Sequence, residues 1–389
     1  MANKNNWMLP EGIEELLPEN AARLEKMRRE LLDLFSSWGY QYVIPPLVEY
    51  LDSLLTGTGP EIDLQTFKVT DQISGRTLGI RADMTPQVAR IAVHQIRSKA
   101  PTRLCYLGSV LQARGAKIEK SRSPIQVGAE LYGSRHIKSD VEVIQLMLEV
   151  LAVAGLQNVH LDLGHVGIFR GLSKQSGLSE QQEADLFDVL QRKSTDEVEA
   201  LLQTFDCEKQ WVEVFQKLLL LNGDISVLEE AKKSLSIAGE AVQKAISELQ
   251  DVANIMQAFY PSLPLYFDLA ELRCYQYQTG IVFAAFVPGF GSEVARGGRY
   301  DAMAEEFGCA QPATGFSADI KVLARLSADR KAEALAVILA PNDSDPELYE
   351  TIRDLRASGK AVVQQLPDSN AEPSYTSKLC KHDGRWVVR

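Results

Sequence analysis

The sequence predicts an α+β fold in which an antiparallel sheet is flanked by helices, and three observations lead there. Strand-like stretches follow one another without regular crossover helices, which disfavours a doubly wound sheet. A span of almost purely helical character, about residues 170–258, interrupts them as an insertion. From Ala332 the pattern changes to strand, helix and strand, a short C-terminal α/β module.

The elements follow in order. Leu24, Met27, Leu31, Leu34, Phe35 and Trp38 recur at helical spacing, so Asn20 to Trp38 is expected as an amphipathic helix ended by Gly39. The next stretch, YQYVIPPLVEY, is extended because Pro45-Pro46 excludes a helix. Phe67 to Ile80 reads as a hairpin turning at Ser74-Gly75. Thr85 is placed to cap a helix that Pro86 opens.

Residues 104–133 read as two strands joined by a long basic loop, followed by a helix from Ser139 to Ala154 with a capping box at Ser139 and Glu142. Two further capping boxes, Ser179 to Gln182 and Ser194 to Glu197, mark helices of the insertion. LPLYFDL and GIVFAAF read as strands, and GFGSEVARGGRYD as a glycine-rich turn before a helix. The domain boundaries expected are 1–326 for the core and 332–389 for the tail.

Composition bounds the function. The chain has 389 residues, 45% of them hydrophobic and 24% charged, with a net charge of −11. That balance opposes a polyanionic partner, whose binding rests on lysine and arginine displacing counterions. No apolar run reaches membrane-spanning length, and the opening MANKNNWMLPEG lacks a signal-peptide core. Five cysteines without a C-x-x-C pair suit reduced cytoplasmic thiols. The expectation is a cytoplasmic protein.

The clearest candidate site lies in IQVGAELY. Alternation along a strand puts Gln126, Gly128 and Glu130 on one face, leaving room over the glycine for a small ligand. Glu130 would suit an ammonium or imidazolium, and Gln126 would orient it. A solvated strand face is the plainer alternative. Asp83 and Thr85 could line the same pocket, although capping explains Thr85 equally well. Phosphate-loop, H-E-x-x-H and G-x-S-x-G signatures are absent, and the five histidines show no metal spacing. No cofactor is implied.

Taken together, these stretches resemble the catalytic core of class II aminoacyl-tRNA synthetases, most closely histidyl-tRNA synthetase, from about Leu9 to Leu326. GYQYVIPPLVEY is similar to motif 1, the dimer-forming segment, and RLCYLGSVLQAR with IQVGAELYG to motif 2. LRCYQYQTGIVF is similar to the histidine-specific segment, and PATGFSADIKVL to motif 3. The resemblance implies a histidine pocket of Asp83, Thr85, Gln126, Glu130, Arg273, Tyr277 and Tyr300. Gln278 stands at that segment's second tyrosine.

The same resemblance implies that the ATP grip is lost. Gln112 stands at the arginine that holds the α-phosphate, Arg114 at the glutamate facing adenine, Pro124 at the stacking phenylalanine and Val322 at the motif 3 arginine. Two lost charge-assisted contacts amount to about 3–6 kcal/mol. The tail resembles a truncated anticodon-binding domain. A histidine pocket without an ATP grip resembles a paralogous family, the regulatory subunits of ATP phosphoribosyltransferase. That likeness implies an inactive synthetase-like chain with no catalytic residues of its own. It implies a short-form catalytic subunit as partner in a hetero-octamer, activation of that subunit and feedback inhibition by histidine. It also implies a self-dimer through the motif 1 stretch, and no tRNA or membrane. Two other readings stay open: a histidine-activating ligase with a non-tRNA acceptor, and a tRNA-sensing module.

Overall fold

A computed structural model describes residues 8–115, 121–270, 277–308, 311–327, 336–367 and 375–389. The chain divides into two compact units, Met1–Arg330 and Lys331–Arg389. The first unit holds twelve of the described strands: β1 (Gln41–Tyr42), β2 (Val48–Tyr50), β3 (Phe67–Thr70), β4 (Thr77–Ile80), β5 (Thr102–Ser109), β6 (Ile125–Tyr132), β7 (His160–His165), β8 (Asn222–Gly223), β9 (Leu265–Asp268), β10 (Ile281–Phe286), β11 (Ala295–Arg299) and β12 (Ala313–Asp319). Nine form one sheet in the order β1-β5-β6-β12-β11-β10-β7-β9-β8, and β2-β4-β3 form a second. The run from β5 to β7 through the middle of the large sheet is antiparallel throughout; only the β1–β5 and β7–β9 pairs are parallel.

Period-two alternation decides which side of this sheet is dry. Cys105, Leu107, Val127, Ala129, Leu131, Phe283 and Phe316 share one core with the helices Pro18–Ser37, Ile137–Val153 and Glu240–Phe259. Leu104, Tyr106, Tyr132 and Tyr300 point the other way, into a smaller cluster with Met84, Val88 and Phe307. The first helix begins at Pro18, where a missing N–H costs nothing, rather than at Asn20.

Four readings of the sequence need correction. In GGRY the Gly-Gly-Arg run is not a turn but part of β11, in the middle of the sheet, with Tyr300 just past its end. Its glycines are there because a Cβ on Gly297 would strike the Phe283 ring and one on Gly298 would strike Gln278. Ser139 does not cap its helix. His136 does, accepting from the Lys138 N–H at 3.1 Å, while Ser139 is buried in the first turn. Thr85 is likewise inside its helix, Thr85–Ile91, with Met84 at the cap position. The helical insertion is also not strand-free, because β8 pairs with β9.

The second unit pairs β13 (Val337–Ala340) with β14 (Ala361–Gln364) and β15 (Ser377–His382), all parallel, with the helix Pro346–Ala357 between. β15 turns into β16 (Arg385–Val388) at Asp383-Gly384. Both turn residues have positive φ, 49° and 79°, the conformation of a tight two-residue hairpin.

One buried ion pair joins β11 to the start of the helix Ile137–Val153. Asp140 Oδ2 accepts from Arg299 Nη2 at 2.7 Å, with side chains 1% and 10% exposed. Arg299 also donates to the Ser134 carbonyl and to Ser139 Oγ, each at 2.9 Å. Removing one partner leaves a buried charge, so Asp140→Ala is expected to cost about 3–5 kcal/mol. Asp301, 3.2 Å from Arg299, should keep the loss at the lower end. Urea unfolding measures it, and a loss under about 1 kcal/mol would show that the pair is dispensable.

Candidate functional site

The cleft lies on the polar face of the large sheet. Leu104 of β5 pairs with Glu130 of β6, which pairs with Gly315 of β12, which pairs with Gly298 of β11. The Glu130 carboxylate occupies the space that a Cβ on Gly315 would take, and the Tyr106 ring occupies that over Gly128. Glycines on neighbouring strands thus form a floor on which larger polar side chains lie flat.

Glu130 is 1% exposed, so the solvated strand face is overturned. Its Oε1 accepts from the Tyr106 hydroxyl at 2.9 Å and from Thr85 Oγ1 at 3.2 Å, and its Oε2 from the Tyr300 hydroxyl. Thr85 and Tyr106 lie 3.1 Å apart, and Tyr132 stands 3.3 Å behind Tyr300. Among the described residues no cation touches the carboxylate. Burial therefore pushes Glu130 up to about 8, with the Tyr300, Tyr106 and Thr85 hydroxyls opposing and Asp83 adding to the rise. Burial beside this carboxylate also holds all three tyrosines well above their usual range.

At the edge of this group Gln126 Nε2 donates to Asp83 Oδ1 at 2.7 Å, and Gln126 Oε1 accepts from the Met84 N–H at 2.9 Å. Asp83 also accepts from the Thr85 N–H at 3.0 Å, while the Thr85 hydroxyl faces Glu130. Asp83, Thr85, Gln126, Glu130, Tyr277 and Tyr300 all line one cleft. Arg273 lies outside the described residues.

The cleft continues past Gln112, Pro124 and Asp319. Arg114 is exposed and does not line it, and Val322 is buried in the helix Ile320–Leu326. Asp319 accepts from the Ile125 and Lys321 N–H groups, yet burial lifts it to about 6. Sequence reasoning passed over Tyr106 and Tyr132 as site residues. The alternation used for β6, applied to Leu104-Tyr106-Gly108 in β5, would have found Tyr106.

Linkage turns the Glu130 geometry into a measurable effect. An acid whose pKa rises from 4.5 to about 8 on folding contributes most stability below 4.5 and loses it as pH climbs toward 8. Glu130→Gln cannot titrate, so it should gain on the wild type between pH 5 and pH 8.5. The gain expected is more than about 1.4 kcal/mol, the worth of one pKa unit. Urea titrations at both pH values check this; a constant difference would mean that Glu130 ionises normally.

Comparison with known proteins places this geometry. Residues 12–323 match the histidyl-tRNA synthetase family, and residues 335–389 match the ATP phosphoribosyltransferase subunit HisZ C-terminal domain. The chain is 53% identical to an ATP phosphoribosyltransferase regulatory subunit from Methylococcus capsulatus, over 99% of this chain and 96% of that one. A regulatory subunit from Thioalkalivibrio sulfidiphilus is 54% identical, over 94% and 93%. The crystal structure of an ATP phosphoribosyltransferase regulatory subunit/histidyl-tRNA synthetase from Bacillus halodurans superposes with a TM-score of 0.83 at 29% identity, covering 95% of this chain and 96% of that one. Histidyl-tRNA synthetase from Nostoc sp., at 18% identity and a TM-score of 0.76 over 94% and 88%, shares the fold. A histidyl-tRNA synthetase-like core and a tail of the HisZ type, in one chain more than half identical to its relatives, establish that it belongs to the family of ATP phosphoribosyltransferase regulatory subunits.

Proposed function

We propose that this chain is a non-catalytic subunit that joins a short-form ATP phosphoribosyltransferase catalytic subunit in a hetero-octamer, activates it, and makes it sensitive to histidine. The observation that carries the reading is the charge of the cleft. Among its described lining residues Asp83, Glu130, Asp162, Asp268, Glu293 and Asp319 are acidic, and Arg296 alone is basic. Arg296 lies 3.2 Å from Glu293. A triphosphate brought here would meet carboxylates where catalysis needs cations. A cationic amino acid would meet a favourable field and, at Glu130, a buried carboxyl with hydroxyl partners only.

Asp83, Thr85, Gln126, Glu130, Arg273, Tyr277 and Tyr300 are proposed to hold the effector, and Gln112, Arg114, Pro124 and Val322 to mark the vacated ATP positions. The proposed self-dimer uses the motif 1 stretch, where Ile44, Leu47 and Val48 are 76%, 48% and 40% exposed. Beside it Gln87 Oε1 and Arg90 Nε are buried without partners among the described residues. Ile44→Asp should then halve the mass of the isolated chain in light scattering, and an unchanged mass would place the dimer contact elsewhere.

Mixing the chain with a short-form catalytic subunit should raise transferase activity, and histidine should lower it again. Glu130→Ala should remove the histidine response while the complex still co-purifies. The chain alone should show no histidine-dependent ATP–pyrophosphate exchange. Exchange, or the absence of any complex, would sink the proposal. Histidine inhibition that survives in Glu130→Ala would place the effector outside the cleft.

A further inference from the structure

The cleft contains a second acceptor. Gln278 is 4% exposed and lines the cleft, and its Oε1 is buried with no hydrogen-bond partner among the described residues. A buried carbonyl left unpaired is costly, and native proteins rarely retain one without a use. The backbone that carries it is held in place. The Thr279 N–H donates to the Arg299 carbonyl at 2.7 Å, the Asp301 N–H donates to Thr279 Oγ1 at 2.9 Å, and the Val166 N–H donates to the Gly280 carbonyl at 3.0 Å. These bonds lace the segment after Gln278 to the end of β11 and to the start of the helix Val166–Gln175 that follows β7.

Its position relative to Glu130 follows from the sheet. Gln278 Oε1 lies 2.6 Å from where a Cβ on Gly298 would stand, and Glu130 Oε2 fills the corresponding place over Gly315. Gly298 and Gly315 are directly paired across β11 and β12. Cβ positions in such a pair are about 5 Å apart. Two oxygen acceptors therefore lie over adjacent glycines on one face, one from a carboxyl and one from an amide, with no protein N–H of the described residues bonded to either.

We propose that Gln278 is a specificity-determining residue of this cleft. Its side-chain carbonyl accepts an N–H from the same ligand whose cationic group Glu130 holds, so the cleft selects a cationic amino acid with N–H donors to offer both. Within the histidine reading above, on which this inference rests, the donor is either a ring N–H or the α-ammonium. An apolar isostere would leave the carbonyl unpaired, and sites of this kind reject such ligands far more strongly than a hydrophobic pocket rejects a missing methylene.

Calorimetry on the full-length chain tests this with three probes: histidine, thienylalanine, which lacks ring N–H groups, and imidazolepropionate, which lacks the ammonium. Gln278→Leu should weaken histidine about tenfold or more, whereas Gln278→Glu, which keeps the acceptor and the shape, should hold it within a few-fold. Thermal melts of both variants establish that they are folded. The probe whose affinity is the same for the wild type and Gln278→Leu identifies the donor: thienylalanine for the ring, imidazolepropionate for the ammonium. Wild-type histidine binding that Gln278→Leu leaves intact overturns the assignment of Gln278 alone. A wild-type chain that binds no histidine overturns the underlying reading and this inference with it.

Discussion

A carboxyl buried without a cation is the constraint on which the rest of the site depends. An isolated charge in that position is costly, so Glu130 must stay neutral, gather hydrogen bonds or receive a cation from outside. The fold supplies the second of these from three separate elements: Tyr106 from β5, Thr85 from the helix after β4, and Tyr300 just past β11. The Tyr106 ring lies over Gly128 and the Glu130 carboxylate over Gly315, and a Cβ at either position would take that space. Tyr300 is in turn fixed by its neighbour Arg299, whose guanidinium is tied to Asp140, Ser139 and the Ser134 carbonyl. The site and the core are one packing problem.

The basic residues around the cleft are committed elsewhere. Arg81 is buried and donates to the Pro45 and Ser109 carbonyls. Arg122 donates to the Gln112 and Glu11 carbonyls, and its own N–H donates to the Gly12 carbonyl. Lys321 reaches Glu14 and Ser123. Arg122 and Lys321 thus fasten the segment around residues 11–14 to the end of the loop before β6. A guanidinium satisfied by backbone carbonyls is held by bonds it would have to break before gripping phosphate. Within the 104–133 stretch Arg122 is thus structural, whereas Arg114 is exposed and away from the cleft.

The strand face of Gln126, Gly128 and Glu130 was legible because alternation has a period of two and needs no tertiary information. Whether that face is wet or dry was not, since the answer depends on Thr85, Tyr106 and Tyr300 arriving from other parts of the chain. The misreading of GGRY has a related cause. Two adjacent glycines look the same in sequence whether they permit a turn or a close approach between strands, and only the neighbours, Phe283 and Gln278, decide. Ser139 failed as a cap because His136, three residues earlier, offers its ring nitrogen first and Ser139 is taken by Arg299. The Asp383-Gly384 hairpin, by contrast, carried a purely local signal and could have been read.

The same arrangement favours a sensor over a catalyst. Catalysis uses binding energy that appears only in the transition state, and for adenylate formation this requires cations aimed at phosphate. Regulation requires only that a ligand bind one state of the protein more tightly than another. A buried carboxyl pushed toward its protonated form, which a bound cation would pull back toward ionisation, gives the empty and filled cleft two states that differ in proton occupancy and in the charge felt across β6, β12 and β11. On the proposed reading, effector binding drives out that proton and replaces hydroxyl contacts with a charge-assisted bond. The proposed loss of the nucleotide grip at Gln112, Pro124 and Val322 leaves this difference intact, because the hydroxyls that hold Glu130 come from Thr85, Tyr106 and Tyr300, and a change at any of these would reach it directly.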